Sequence, residues 1–225
     1  MWSRTSIHGS PGRSARRLAL RRTILGWTAL AVGVVVGAAL VVSGWPTVGL
    51  GTLGAGWAMH RASRTRAARA HAGAAAEHDA AARLRRVRAA AVAYDVRLPG
   101  LHSDVDAIVL GPMAAAVEIK RAYGRVRCYG DGTVRAGRNA LPGRPLAQAI
   151  AQAAAVRRTV GNVDHVDAVL CVVGMRQRPR LVDVNGVDVW VTSLRHLRRV
   201  LRRLPNRIAR DDAKRAAAEL QLAPP

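Results

Sequence analysis

Charge is missing from one long stretch of the chain and dense almost everywhere else. Residues 23–59 contain no Asp, Glu, Lys or Arg. A helix of that length would run ~56 Å at ~1.5 Å per residue, against a hydrocarbon core of ~30 Å, so one straight span is a poor fit. The break falls at Ser43-Gly44-Trp45-Pro46. Glycine permits a turn there, and proline lacks the backbone donor that a continuing helix needs. Residues 24–42 suffice for one crossing. Residues 47–59 are shorter and glycine-rich, and either cross tightly against the first segment or re-enter.

Of the tryptophans Trp2, Trp27, Trp45 and Trp57, the last three lie near segment ends, where indole rings favour a membrane interface. Arg13, Arg16, Arg17, Arg21 and Arg22 precede the stretch, and Arg61, Arg64, Arg66 and Arg69 follow it. Positive flanks prefer the cytoplasm, and two cytoplasmic flanks require an even number of crossings, which a helical hairpin provides. A cleaved signal peptide is the competing reading. The apolar run is long for one and lacks a small-x-small cut site.

Further along, the periodicity changes. Residues 61–87 read as an Ala- and Arg-rich helix with Glu77 inside it. Apolar runs of strand length follow at 91–96, 105–110, 114–120 and 125–129. Turn signals separate them at Pro99-Gly100, Gly111-Pro112, Tyr123-Gly124 and Gly130-Asp131-Gly132. Pro145 occupies a first-turn position for a helix over 146–159. Residues 168–173 are apolar without interruption, as in a strand buried on both faces. Asn185-Gly186 marks a hairpin between 181–184 and 187–191. Helices at 193–204 and from about Arg207 to 222, split by Pro205, close the chain. This order predicts an α/β fold with a mixed central sheet flanked by helices.

Composition narrows the chemistry. Half of the 225 residues are apolar, which excludes disorder for want of a core. Cys128 and Cys171 are the only cysteines, too few for a disulfide scaffold or a zinc ribbon. Phe is absent and aromatics make up 4%, leaving little for a base-stacking platform. Net charge is +22, yet residues 1–70 hold ten arginines and no acid. Any chemistry that needs a carboxylate therefore lies after residue 70. Lys120 and Lys214 are the only lysines among 36 basic residues.

Asp104, Asp106, Glu118 and Lys120 stand out. Alternate residues share a strand face, so Asp104 pairs with Asp106 in direction, and Glu118 with Lys120. The short turn at Gly111-Pro112-Met113 makes the two strands a hairpin and sets Asp106 close to Glu118. Two carboxylates in a partly buried site repel each other unless a cation lies between them. Mg²⁺ takes oxygen ligands and keeps several waters. A solvated Glu–Lys pair is the plainer alternative. Lysine at this one place in an arginine-rich chain favours the chemical reading, because a compact ammonium suits a polarised water better than a planar fork does.

The run SDVDAIVLGPMAAAVEIKRAYGRV, residues 103–126, resembles the core of the nuclease-related domain (NERD) family, a branch of the PD-(D/E)xK restriction-endonuclease-like fold. Asp106, Glu118 and Lys120 match its acidic and Glu-x-Lys positions. GAAAEHDAAARL at 73–84 resembles the family's Gly-x-x-x-Glu helix, with Glu77 as the helix acid. RPLAQAIAQAA at 144–154 resembles its Pro-x-x-Gln helix, with Gln148 as the polar residue. Two positions depart from the pattern: Ala107 stands where the family often has His, and Met113-Ala114 precede the Glu-x-Lys strand.

The resemblance implies a restriction-endonuclease-like sheet and phosphodiester hydrolysis assisted by Mg²⁺ or Mn²⁺. It makes Asp106 and Glu118 metal ligands, with the Ile119 carbonyl as a further oxygen. Lys120 would orient water, and Glu77 and Gln148 would complete the surroundings. Arg121, Arg125, Arg127 and Arg138 are the expected nucleic-acid contacts, with DNA the favoured partner. By their spacing between leucines, the arginines of 193–204 are either the solvated face of a core-packing helix or contacts for nucleic-acid phosphates or anionic lipid. The expected organisation is a basic tail at 1–22, a membrane segment at 23–59, a basic helical linker at 60–72, the nuclease-related domain at 73–204 and a helix with tail at 205–225. A catalytically silent module of the same fold, binding nucleic acid, protein or lipid at the membrane, is the rival expectation.

Overall fold

The structure is a computed structural model and describes residues 6–161, 163–205 and 208–222. Trp2 and Arg207 lie outside the described residues. The chain forms two compact units, Arg13–Ala74 on one hand and Met1–Gly12 with Ala75–Pro225 on the other.

The first unit is a pair of helices, α1 (Arg13–Val42) and the first part of α2 (Pro46–Leu84). The apolar stretch does break where glycine and proline meet. The basic linker expected to be helical at 60–72 is helical, within α2. Small residues let the two helices touch: a Cβ placed on Gly33 would stand 3.0 Å from Gly56 Cα, and one on Gly49 would stand 2.6 Å from the Gly37 carbonyl oxygen. Such close backbone approach is how glycine-lined helices associate in lipid. Leu20, Leu25, Val35, Val42, Leu50 and Trp57 remain exposed. Residues Ala15–Val42 are long and apolar enough to cross a membrane.

The second unit is built on a seven-stranded mixed sheet. Its strands are β1 (Ser6–His8), β2 (Ala91–Val96), β3 (Val105–Leu110), β4 (Ala114–Gly124), β8 (Asp167–Met175), β9 (Arg180–Val184) and β10 (Val187–Ser193), in the order β1-β2-β3-β4-β8-β10-β9. The pairs β2–β3, β3–β4 and β10–β9 are antiparallel, whereas β1–β2, β4–β8 and β8–β10 are parallel. A small second sheet holds β5 (Val126–Cys128), β6 (Val134–Ala136) and β7 (Asn139–Ala140). The last two strands are too short to leave a periodic signal.

Alternation divides the core into two layers. Ile108, Leu110, Ala116, Leu170 and Val172 face α3 (Pro145–Thr159) and α5 (Arg210–Leu222). Ala107, Val109, Val117, Val169 and Cys171 face the last turns of α2 and α4 (Leu197–Leu201). The mixed α/β sheet expected from the order of elements is therefore present, with helices on both faces.

The helix expected over 193–204 is corrected: only Leu197–Leu201 is α-helical. Ser193 instead continues β10, paired beside Val172. After Leu201 the backbone tightens, with Arg203 N–H donating to Val200 O at 2.8 Å, before Pro205 ends the run. Leu197, Leu201 and Leu204 are buried as the spacing predicts.

Candidate functional site

The β3–β4 hairpin carries the expected chemistry. Its turn closes with Gly111 N–H donating to Met113 O at 2.8 Å. A Cβ at Gly111 would lie 2.8 Å from Ala89 Cα, so only glycine fits. The register pairs Ala107 with Val117, and one step further brings Asp106 opposite Glu118. Asp106 Oδ2 accepts the Ile119 N–H at 2.6 Å, tying the acid of one strand to the backbone of the next.

Glu118 is wholly buried, a costly place for a carboxylate unless it is paired. Two side chains meet that need. Lys120 ion-pairs with Glu118 Oε1, and Gln152 Nε2 donates to Glu118 Oε2 at 2.6 Å. Gln152 is itself buried and reaches the Asp104 carbonyl at 3.4 Å. Its own Oε1 has no hydrogen-bond partner among the described residues, nor does Glu77 Oε2.

Electrostatics bind these groups into one cluster. Burial pushes the Asp106 carboxyl well above the usual carboxylate range, and Glu118 and Glu77 push it further, against Lys120 and the Ile119 N–H. Glu77, in α2, is raised to about 7 by burial first and then by Asp95; the Gly12 N–H opposes this, Glu118 adds to it and Lys120 opposes it. Burial draws the Lys120 ammonium down, but Glu118, Asp106 and Glu77 outweigh it and hold the amine above its ordinary value. Near neutrality Lys120 is therefore a fixed cation and Glu77 is poised to exchange a proton.

Among the described residues, no group of three or more His, Cys, Asp or Glu side chains is arranged to hold an ion. Mg²⁺ does not need such a cage; it is commonly held by one or two carboxylates with water. Oxygen donors, an excess of carboxyl charge and two buried acceptors without partners fit that requirement.

Asp106, Glu118, Lys120 and Glu77 thus meet electrostatically. Gln148 is placed one helical turn away: its amide donates to Ser103 Oγ at 3.2 Å, and Gln152 takes the contact with Glu118. The signal for Gln152 was present, since residues four apart share a helix face. Asp95 was also missed. It falls between the paired positions Tyr94–Ala107 and Val96–Val105, hence opposite Asp106, with φ of 52°. An acid inside an otherwise apolar strand was the available clue.

The predicted arginines are exposed beside this hairpin. Arg121 leaves β4, donating to Tyr123 Oη at 2.9 Å and stacking over its ring. Arg127 lies across from Arg135 in the small sheet, and Arg135 reaches the Arg138 carbonyl at 3.2 Å. Arg125 precedes β5 and is exposed. His165 contacts Asp167 at 3.5 Å, and His196 contacts Ser193 at 3.0 Å. Cys171 fills the core, as its apolar strand predicts.

The mixed sheet thus carries on one hairpin an Asp opposite Glu-x-Lys, coupled to a helix glutamate, as a buried carboxylate–lysine cluster. Residues 72–174 match the family model described as nuclease-related domain, NERD. Glu77, Asp106, Glu118, Lys120, Gln148 and Gln152 all lie within the matched residues. No match was found among curated proteins or among solved structures.

Proposed function

We propose that this protein is a membrane-anchored nuclease that hydrolyses phosphodiester bonds of nucleic acid, DNA foremost, with its catalytic domain facing the cytoplasm. The observation that carries the reading is the wholly buried Glu118, gripped by Lys120 and Gln152, one strand from the desolvated carboxyl of Asp106. Nothing in a structural core calls for so much negative charge in one place.

Asp106 and Glu118 would hold Mg²⁺ or Mn²⁺, which supplies positive charge to polarise a phosphoryl oxygen. Lys120, kept protonated by its carboxylate neighbours, acts as a hydrogen-bond donor and orients water or a phosphate oxygen. It does not serve as a base while so paired. Glu77, raised to about 7, can take or return a proton at neutral pH, where acid–base catalysis is most efficient. Gln152 positions the Glu118 carboxylate. Arg121, Arg125, Arg127 and Arg138 lend charge for the phosphate backbone. The apolar Ala15–Val42 helix and the arginines on both flanks of residues 23–59 support the anchor and its orientation.

The test is cleavage of plasmid DNA by the full chain in mild detergent, with Mg²⁺ or with chelator. Metal-dependent cleavage that falls at least about 100-fold in Glu118→Gln and in Lys120→Met is expected. Cleavage that survives both substitutions defeats the assignment. DNA binding without cleavage under any divalent ion marks the silent module instead.

A further inference from the structure

The strongest positive feature of the second unit lies away from the acidic cluster. A cavity of about 400 Å³ is lined, among the described residues, by seven arginines. Arg83 comes from the last turn of α2, Arg86 from the turn that follows it, and the other five from the segment 195–203. A second cavity, of about 600 Å³, opens on the other side of the same segment and adds Arg178 and Arg180. Arg195, Arg199 and Arg203, spaced four apart, line both cavities and form the ridge between them. Among the described residues, no carboxylate lines either one. All three ridge arginines are exposed, and no ion pair among the described residues involves them. His196 reports the same field: burial lowers its pKa, and Arg195, Arg199 and Arg178 lower it further.

Seven like charges held together without counter-charge cost free energy that a bound polyanion would return. We propose that this arginine surface binds the phosphodiester backbone of nucleic acid. Guanidinium forks match phosphate oxygens in pairs, which suits arginine over lysine.

Position on the sheet supports this occupant. Lys120 and Ser193 both pair with Val172, from opposite sides. Their backbones are therefore about 10 Å apart at the same level, given ~4.8 Å between strands. Arg195 follows directly and donates to the carbonyl of Arg176, just past β8, at 3.0 Å. The end of β4 that carries Lys120 and the end of β10 that leads into the arginine segment thus lie at one level of the sheet, with the Asp106 and Glu118 carboxylates on the face covered by α3 and the arginines on the face covered by α4. A strand with one phosphate per ~3.4 Å of axis covers that separation within a few nucleotides. Lipid fits less well. An interfacial helix needs an apolar face to insert, and Leu197 and Leu201 of α4 are already buried against the sheet.

The proposal rests on the nuclease reading only for the use to which the bound strand is put, so its test omits divalent ions. Full-length protein in mild detergent with chelator is titrated into a short fluorescent DNA duplex, and anisotropy is followed across salt concentrations. The triple variant R195Q/R199Q/R203Q should lower the slope of log affinity against log salt by up to about 2.7. Between about 50 and about 200 mM salt, wild type should then lose about 40-fold more affinity than the variant. The matching R195K/R199K/R203K variant should recover most of the slope, which separates charge from misfolding. Wild-type slope and affinity in the glutamine variant overturn the proposal, as does a lysine variant no better than the glutamine one. A glutamine variant that binds DNA normally but loses a preference for phosphatidylserine over phosphatidylcholine in mixed micelles assigns the surface to lipid, and equally overturns it. If arginine-dependent binding persists while no divalent ion supports cleavage, the nuclease reading fails and this one stands.

Discussion

Glu77 makes the acidic cluster measurable without any assay of activity. Its carboxyl rises from 4.5 to about 7 in the folded protein, so the folded state binds that proton more tightly than the unfolded chain does. Stability must then fall as pH climbs through the interval between those values, and level off above about 7. At ~1.36 kcal/mol per pH unit the full fall is about 3.4 kcal/mol, a ceiling for a carboxyl that keeps some solvent contact. Glu77→Gln removes the titration while keeping the shape. The Gly12 N–H still finds an acceptor, but the new amide donor at the Oε2 position is left without a partner, at about 1 kcal/mol. Above about pH 8 the variant should be about 2 kcal/mol more stable than wild type, and near pH 4.5 slightly less stable. Hydrogen exchange of the β3 and β4 amides, corrected for intrinsic rate, reads this directly; the Ile119 N–H is the natural reporter. Wild-type protection should drop roughly tenfold per ~1.4 kcal/mol across the interval. A flat wild-type profile, or the same slope in Glu77→Gln, would refute the claim that burial and Asp95 hold this proton.

Two further outcomes follow from contacts already described. Gln152→Ala strips the Glu118 Oε2 of its donor and should cost about 1.5–3 kcal/mol by the same exchange measurement, whereas Gln148→Ala, which loses only a contact with Ser103, should cost under about 1 kcal/mol; equal costs would return Gln148 to the central role. In the first unit, tags at the two chain ends should both be protease-accessible from the cytoplasmic side, and Gly33→Leu should weaken cross-linking between α1 and α2, because its side chain would enter the space of Gly56; tags on opposite sides would rule out the hairpin.

Much of this was legible in one dimension. Periodicity is a local property, so the run without charge, the Gly-Pro break, the β3–β4 hairpin and the buried strand β8 could all be read from residue order. The pairing of Asp106 with Glu118 was legible too, because a short turn dictates register between adjacent strands. Three-dimensional packing decided what distance along the chain conceals. Gln148 and Gln152 share one helix face, and only the seating of α3 on the sheet selects Gln152 for Glu118. Asp95 joins the cluster through a non-local strand pairing. Arg83 and Arg195 lie far apart in sequence and meet because α2 and α4 cover the same face. Local preference writes the elements; burial of their apolar faces against one another determines which polar residues are left side by side.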